Sequence, residues 1–457
     1  MDDRFAPRLQ EMLNDAVCGP EVTEGLLERL ADFLGPYVES LTEPAQRTHV
    51  GEYVRGLFSK LKHKTGEAIA YLHDRGRQGL QKFIGIAPWD HAPLLKTLAK
   101  EVGEQIGEVD GVIVFDPSAF AKKGKKSVGV ARQWSGRQGK VDNCQVGVFM
   151  GYVSRLEHAL VDFRLYLPKE WTNDKARCDK AGVPAGTKFR TRHELALEML
   201  DDKGKLLPHA WVTGDDEMGR PAAFRGDLRD RGERYLLAVP SNTLVRDLET
   251  EPPAGSGRGR PRARPHLQMR RWREALPASA WTSIDVRDGE KGPLMVEAAW
   301  RRVTAKLGTA EGPEERMFVT REPQGDGSYQ HDYYLAHAGA TDASLTELAR
   351  VSKAEHRIEE CLRRGKSEAG MGDYQVRNWV GWHRHLTLSL VAAWFLVGAM
   401  RRGKNRDPRA HRSAPARPDR EPAGGAARLQ PPGQRPTPRE PLAGPNRTGE
   451  VLPLSQA

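Results

Sequence analysis

Leu26, Leu27, Leu30, Phe33 and Leu34 recur at the three- and four-residue spacing that lines one face of a helix. A second periodic stretch runs from residue 53 to residue 71, so residues 1–108 are expected to form a helical N-terminal domain. The period then changes. Residues 112–115 are an unbroken apolar run closed by Asp116, a pattern that suits a strand buried on both faces with an acid at its end. Residues 122–126 should be a loop, followed by strands at 127–134, 146–153 and 158–167. Thr191 and Glu194 have capping-box spacing at the start of a helix over 191–204. A strand at 210–214 delivers Asp215, and a helix to about Gly232 and a strand at 235–239 follow. Strands and helices in that mixed order predict an α/β core over residues 109–240, a central sheet with helices on its faces.

Pro252, Pro253 and a Gly/Arg/Pro stretch at 255–265 break this pattern. Short strand-like runs at 281–286, 294–299, 317–320 and 333–336 make residues 241–340 a strand-rich insertion. Residues 341–400 return to helix. Within them, Ile358 and Leu362 form the apolar stripe of an amphipathic segment, and 386–400 reads as a buried core helix. From 401 to 457 the chain is rich in Pro, Arg, Ala and Gly, cannot supply a core and should be disordered.

Composition adds a partner class. Apolar residues make up 38% of 457, enough for a core, and the net charge of +10 favours a polyanion, nucleic acid before membrane. The four cysteines form no CxxC pair, which argues for reduced thiols and against a zinc site. No secretory pattern follows Asp2 and Asp3, and the apolar run at 386–400 is too short for a bilayer. A cytoplasmic, nucleoid-associated protein without a membrane partner is expected.

Three acids stand out by position. Asp116 and Asp215 each follow a predicted strand, and Glu359 lies on a helix that also carries Arg363, four residues on, and Lys366. Convergent carboxylates make an all-oxygen site suited to Mg²⁺ or Mn²⁺, and two such ions can drive phosphodiester chemistry. Lys122, Lys123 and Lys125 follow the first of these strands as candidate phosphate contacts. Arg258-Gly259-Arg260-Pro261 matches the core of a minor-groove hook. His383 and His385 form an H-x-H pair better explained by core packing than by a metal.

Several longer stretches carry a family resemblance. Phe115-Asp116-Pro117-Ser118-Ala119-Phe120-Ala121-Lys122-Lys123-Gly124, Ser127-Val128-Gly129-Val130-Ala131-Arg132-Gln133-Trp134 and Gly139-Lys140-Val141-Asp142-Asn143-Cys144-Gln145-Val146 closely resemble DDE transposases of bacterial insertion sequences. So do Leu165-Tyr166-Leu167-Pro168-Lys169-Glu170-Trp171 and Gly370-Met371-Gly372-Asp373-Tyr374-Gln375-Val376-Arg377. The likeness spans about residues 20 to 404. It implies a ribonuclease-H-like catalytic core with a β-rich insertion between the second Asp and the Glu. It also implies a homodimer acting on double-stranded DNA, element ends and target, with no small-molecule substrate.

Carried over, it makes Asp116 and Asp215 the first two metal-binding acids, Asp215 rather than Asp216 because Met218-Gly219 stands three residues on. Glu359 becomes the third, with Lys366 at the E-x6-K spacing and set against a DNA phosphate. Ser352 and Glu355 stand where many relatives have Tyr and Arg, and His356 where Trp is frequent, so Arg357 is the candidate substitute phosphate contact. Two alternatives stay open: a decayed relative that only binds DNA, and an endonuclease that never joins strands. The Arg/Pro-rich tail is what a shifted reading frame in a GC-rich gene would write.

Overall fold

The computed structural model describes residues 25–136, 139–251, 264–289, 292–337 and 343–405. Expectations for Arg258, Arg260 and the tail beyond 405 lie outside the described residues. The chain opens with helices α1 (Leu26–Val38), α2 (Pro44–Phe58), α3 (Gly66–Leu72), α4 (Arg77–Gly85) and α5 (Ala92–Ile106). In α1 the expected stripe buries Leu30 and Leu34, while Leu26 and Leu27 stay exposed.

The periodic stretch from 53 to 71 is not one helix. It breaks at 59–65, where Ser59 turns extended and donates its hydroxyl to the Gly56 carbonyl at 2.6 Å. The chain doubles back so closely that a Cβ on Gly56 would stand 2.5 Å from Ile69. Lys64 is buried in this turn, with its ammonium bonded to the Ser59 carbonyl.

The sheet follows: β1 (Val112–Ala121), β2 (Ala131–Ser135), β3 (Lys140–Val153) and β4 (His158–Tyr166). Short helices α6 (Lys169–Thr172) and α7 (Lys175–Lys180) lead to α8 (Arg192–Lys203), which starts with the capping box of Thr191 and Glu194. Next come β5 (Trp211–Gly214), α9 (Asp216–Gly219), α10 (Ala222–Asp230) and β6 (Tyr235–Ala238). β1 runs antiparallel to β3 and parallel to β5, and β5 runs parallel to β6. β2 and β4 share the far edge of β3.

The strand-rich insertion continues this sheet. It holds β7 (Leu244–Asp247), β8 (Leu267–Gln268), α11 (Met269–Glu274), β9 (Thr282–Gly289), β10 (Gly292–Leu307), β11 (Ala310–Pro323) and β12 (Tyr329–His337). β12 pairs antiparallel with β6 from Tyr334–Ala238 to Ala336–Leu236, so the described strands form one sheet in the order β2-β3-β1-β5-β6-β12-β11-β10-β7-β8, with β4 paired to β3 and β9 to β10 off that path. The insertion keeps a small apolar cluster of its own around Met269, Trp272, Val303 and Met317.

Helices α12 (Leu345–Ser352), α13 (Ala354–Glu368) and α14 (Trp379–Asn405) close the chain. Leu386, Leu390, Val391 and Trp394 of α14 are buried in the main core, as expected for the first part of residues 386–400, while Met400 at its end is exposed. His385 Nδ1 meets the Tyr53 hydroxyl at 2.9 Å, and Arg384 donates to the Phe83 carbonyl, so the H-x-H segment packs the core. No described helix is long and apolar enough to cross a membrane.

Candidate active site

The last bonded pair between β1 and β5 is Phe115 with Gly214, and the next residue on each strand is an aspartate, Asp116 and Asp215. Neighbouring strands lie about 4.8 Å apart, so the two acids stand side by side where the strands part. Asp116 does not end its strand: β1 continues along β3 to Ala121, and only β5 stops. Pro117 follows where one side of β1 has lost its neighbour, a position a residue without an N–H tolerates. Asp215 is held by its own turn, its Oδ1 accepting the Met218 N–H at 2.9 Å. Asp216 is exposed and paired with Arg220 at 3.0 Å, and Glu217 is taken by Arg192.

The third acid comes from α13. Ile358 and Leu362 are buried against the sheet, and a Cβ on Gly151 of β3 would stand 2.3 Å from Ile358 Cδ1. That seating leaves Glu359 on the rim of a cavity of about 700 Å³ that Asp116, Asp215 and Lys366 also line. Glu359 Oε2 lies 3.5 Å from His356 Nδ1. Arg363, which the spacing allowed to meet Glu359, pairs with Glu360 at 3.9 Å. Lys366 Nζ donates to Ser118 Oγ at 2.8 Å and lies 4.8 Å from the centre of the Phe120 ring. The lysine is thus drawn onto β1 two residues beyond Asp116.

Glu355 is the residue that sequence reasoning passed over as a mere departure. It lies one turn before Glu359 on the same face, and that i, i+4 spacing was the available signal. With Asp215, Glu359, Asp332 and Tyr334 it lines a second cavity, of about 640 Å³, between α13 and the insertion strand β12. Asp215 and Glu359 border both cavities. The neighbouring acids raise the pKa of Asp116 and of Glu355. Burial, then the charges of Asp215 and Glu359, push Asp116 up to about 8, with Lys366 opposing. Burial lifts Asp215 to about 6 against the Met218 N–H, and burial with the Asp215, Asp116 and Glu359 charges drives Glu355 well above the usual carboxylate range.

Residues 36–293 match the family model of the DDE superfamily endonucleases. The chain belongs to this family. The matched span contains Asp116 and Asp215 and stops short of Glu359. The chain is 30% identical over 228 residues to a probable transposase for insertion sequence element IS701 from Microchaete diplosiphon. That match covers 48% of this chain and 52% of the relative, so the chain spans about half the relative's length. A stretch of 74 residues is 35% identical to a ribonuclease Z of Halobacterium salinarum, 16% of this chain and 24% of that protein. Among solved structures, a piggyBac transposase synaptic complex with hairpin DNA aligns over 87% of this chain and 76% of its own, with a TM-score of 0.36 and 8% identity.

Among the described residues, no three acidic, His or Cys side chains already stand together closely enough to hold a metal ion. The donors are right in kind: carboxylate oxygens suit Mg²⁺ or Mn²⁺, and a divalent cation relieves the repulsion that raises these pKa values. The basic candidates scatter. Lys122 lies over the Tyr374 ring, 3.4 Å from its centre, and burial lowers its pKa to about 8. Lys123 and Lys125 are exposed on the loop after β1, and Arg363 is exposed on the rim of the first cavity. Arg357 lines a different cavity, with Asp110 and Arg350, away from the three acids.

Proposed function

We propose that this chain is a DNA transposase that cleaves the ends of an insertion sequence and transfers their 3′-hydroxyl strands to target DNA, working as a homodimer. The observation that carries this reading is the pairing of Asp116 and Asp215 at the parting of β1 and β5, with Glu359 of α13 bordering the same cavity. The sheet, antiparallel on the β3 side of β1 and parallel on the β5 side, supports a ribonuclease-H-like core. The family match and the insertion-sequence relative support the substrate class.

Asp116, Asp215 and Glu359 are the residues that would hold divalent ions, Mg²⁺ or Mn²⁺. Two such ions, when bound, activate an attacking oxygen and stabilise the leaving one in phosphodiester displacement. Asp215 is kept in place by the Met218 N–H, so its carboxylate is oriented before substrate arrives. Glu359 leaves His356 to join the other two. The ammonium of Lys366, fixed on Ser118, puts a positive charge beside Asp116 where a phosphate of the DNA would lie. Lys123, Lys125 and Arg363 extend that contact along the backbone.

The test is cleavage of a labelled duplex carrying an element end with Mg²⁺ or Mn²⁺, comparing the unaltered chain with Asp215→Ala. Cation-dependent nicks that vanish in the variant are expected. Equal nicking by both would remove Asp215 from the chemistry. A second reading, DNA binding without cutting, draws on the 3.5 Å approach of Glu359 to His356 and on Glu355 beside Asp215. It predicts that both proteins bind the duplex and neither nicks it.

A further inference from the structure

On α13, residue 357 points about 160° away from both 355 and 359, since successive residues turn by about 100°. The acids therefore occupy one side of the helix, and on the other lies a cavity of about 660 Å³ lined by Asp110, Arg155, Arg350 and Arg357. Ser154, Glu347 and Lys353 also border it. Its charges do not cancel. Asp110 takes both Arg155 and Arg350, accepting the Arg350 Nη2–H on its main-chain carbonyl at 2.8 Å. Glu347 accepts the Trp211 indole N–H at 2.7 Å, and Lys353 spends its charge on Glu322 and Asp332 in the neighbouring cavity.

Two guanidiniums keep unspent donors. Among the described residues the buried Arg350 Nε–H meets no acceptor. Arg357, half-buried, makes no ion pair or hydrogen bond with another described residue. A guanidinium offers five N–H groups in a fixed fork, and a group with several anionic oxygens satisfies such a fork best. Arg350, by contrast, is already anchored and burial depresses its pKa, so Arg357 is the residue with charge to give.

We propose that this cavity is a second backbone site, in which Arg357, with Arg350 and Arg155 beside it, binds a phosphodiester of DNA lying across the start of α13. The site rests on the reading of DNA as the substrate and adds to it a contact separate from the three acids. Lys353 borders this cavity and the acidic one, so a strand leaving the acids passes around the first turn of α13 to reach Arg357. The ligand is recognised as a phosphate diester, without base readout.

The experiment is fluorescence anisotropy of a labelled 30-base-pair duplex with the full chain in EDTA, over a salt series, for the unaltered protein and R357A, R357Q and R357K. One lost phosphate contact lowers the slope of log K against log salt by about 0.9. R357A and R357Q are expected to show that decrease with a several-fold weaker affinity, and R357K to keep the slope with an intermediate affinity because it lacks the fork. A slope and affinity unchanged in R357A, while the unaltered chain binds, would overturn this site and leave the DNA reading intact. Equal loss in all three variants with no change of slope would make Arg357 a packing residue and also overturn it. Binding that follows the expected pattern in a chain that never nicks would instead sink the catalytic reading alone. If the unaltered chain binds no duplex, both fail.

Discussion

A carboxylate set beside other carboxylates in a half-buried cleft can ionise only against their repulsion and the loss of water. Asp116 titrates near 8 for that reason, against about 3.8 in an unfolded chain, so between these values the folded state holds more protons. Stability is therefore full below the unfolded value and is lost as pH rises toward 8, and Glu355 pushes the same way. The buried histidines act in the opposite sense. His91 is lowered to about 4 by burial, and His383 and His385 are lowered by burial too, so they weaken the fold only below about 6.5. Between 6.5 and 8.5 His209, raised against burial by its bonds to Glu233 and Leu207, and Lys122, lowered to about 8 by burial, titrate beside the acids, so Asp116→Asn is the comparison that separates the acids from them. Thermal melts in EDTA should fall across that interval, and less so in saturating Mg²⁺ or in Asp116→Asn. The same substitution should cut nicking on the order of 10³-fold or more, so a variant that melts higher at pH 8 yet no longer cleaves is the expected result. A pH dependence from 6.5 to 8.5 in EDTA that is the same in the unaltered chain and in Asp116→Asn would mean that the acids do not repel one another in solution.

Helix α13, which carries Glu359, owes its place to one close contact. α13 lies on β3 where Gly151 has no side chain, and Ile358 fills that space. A methyl group there forces the isoleucine or the helix to move, and overpacking of this kind costs about 1–3 kcal/mol. Gly151→Ala should lower stability by that amount and reduce nicking more than it reduces duplex binding, because it displaces Glu359 without touching the basic loop. Ile358→Ala in the same chain should recover part of both losses. If the double variant is no better than the single ones, the contact does not position the helix.

At the scale of the whole molecule, the insertion is joined to the core by the β6–β12 ladder and by a buried ion pair. Glu315 of β11, 1% exposed at its side chain, accepts Arg225 Nε at 2.8 Å and the Tyr235 hydroxyl at 2.6 Å. Removing one partner strands a buried charge, and such losses run to about 3–5 kcal/mol. Glu315→Ala should therefore destabilise the chain by about that much in urea denaturation, whereas Arg225→Met with Glu315→Leu should cost much less. Because Asp332 and Tyr334 of β12 border the acidic cavity, loosening this joint should also lower cleavage. A Glu315→Ala chain as stable as the unaltered one would show that the pair is solvated and not a clamp.

The sequence by itself located most of the elements and singled out the candidate acids. Apolar periodicity located β1, β5, α13 and α14, the Thr191 capping box located α8, and the family motifs singled out Asp116, Asp215 and Glu359, because short-range spacing and local hydrogen bonding are written in consecutive residues. Tertiary structure decided what distant residues do to each other. It broke the helix expected across 53–71 by folding α3 back on α2. It laid Lys122 over Tyr374, turned Arg357 into a separate cavity and joined the insertion to the central sheet through β6 and β12. It also brought Glu355 beside Asp215, 140 residues away in the chain, and no local pattern records a repulsion between groups that only the fold makes neighbours.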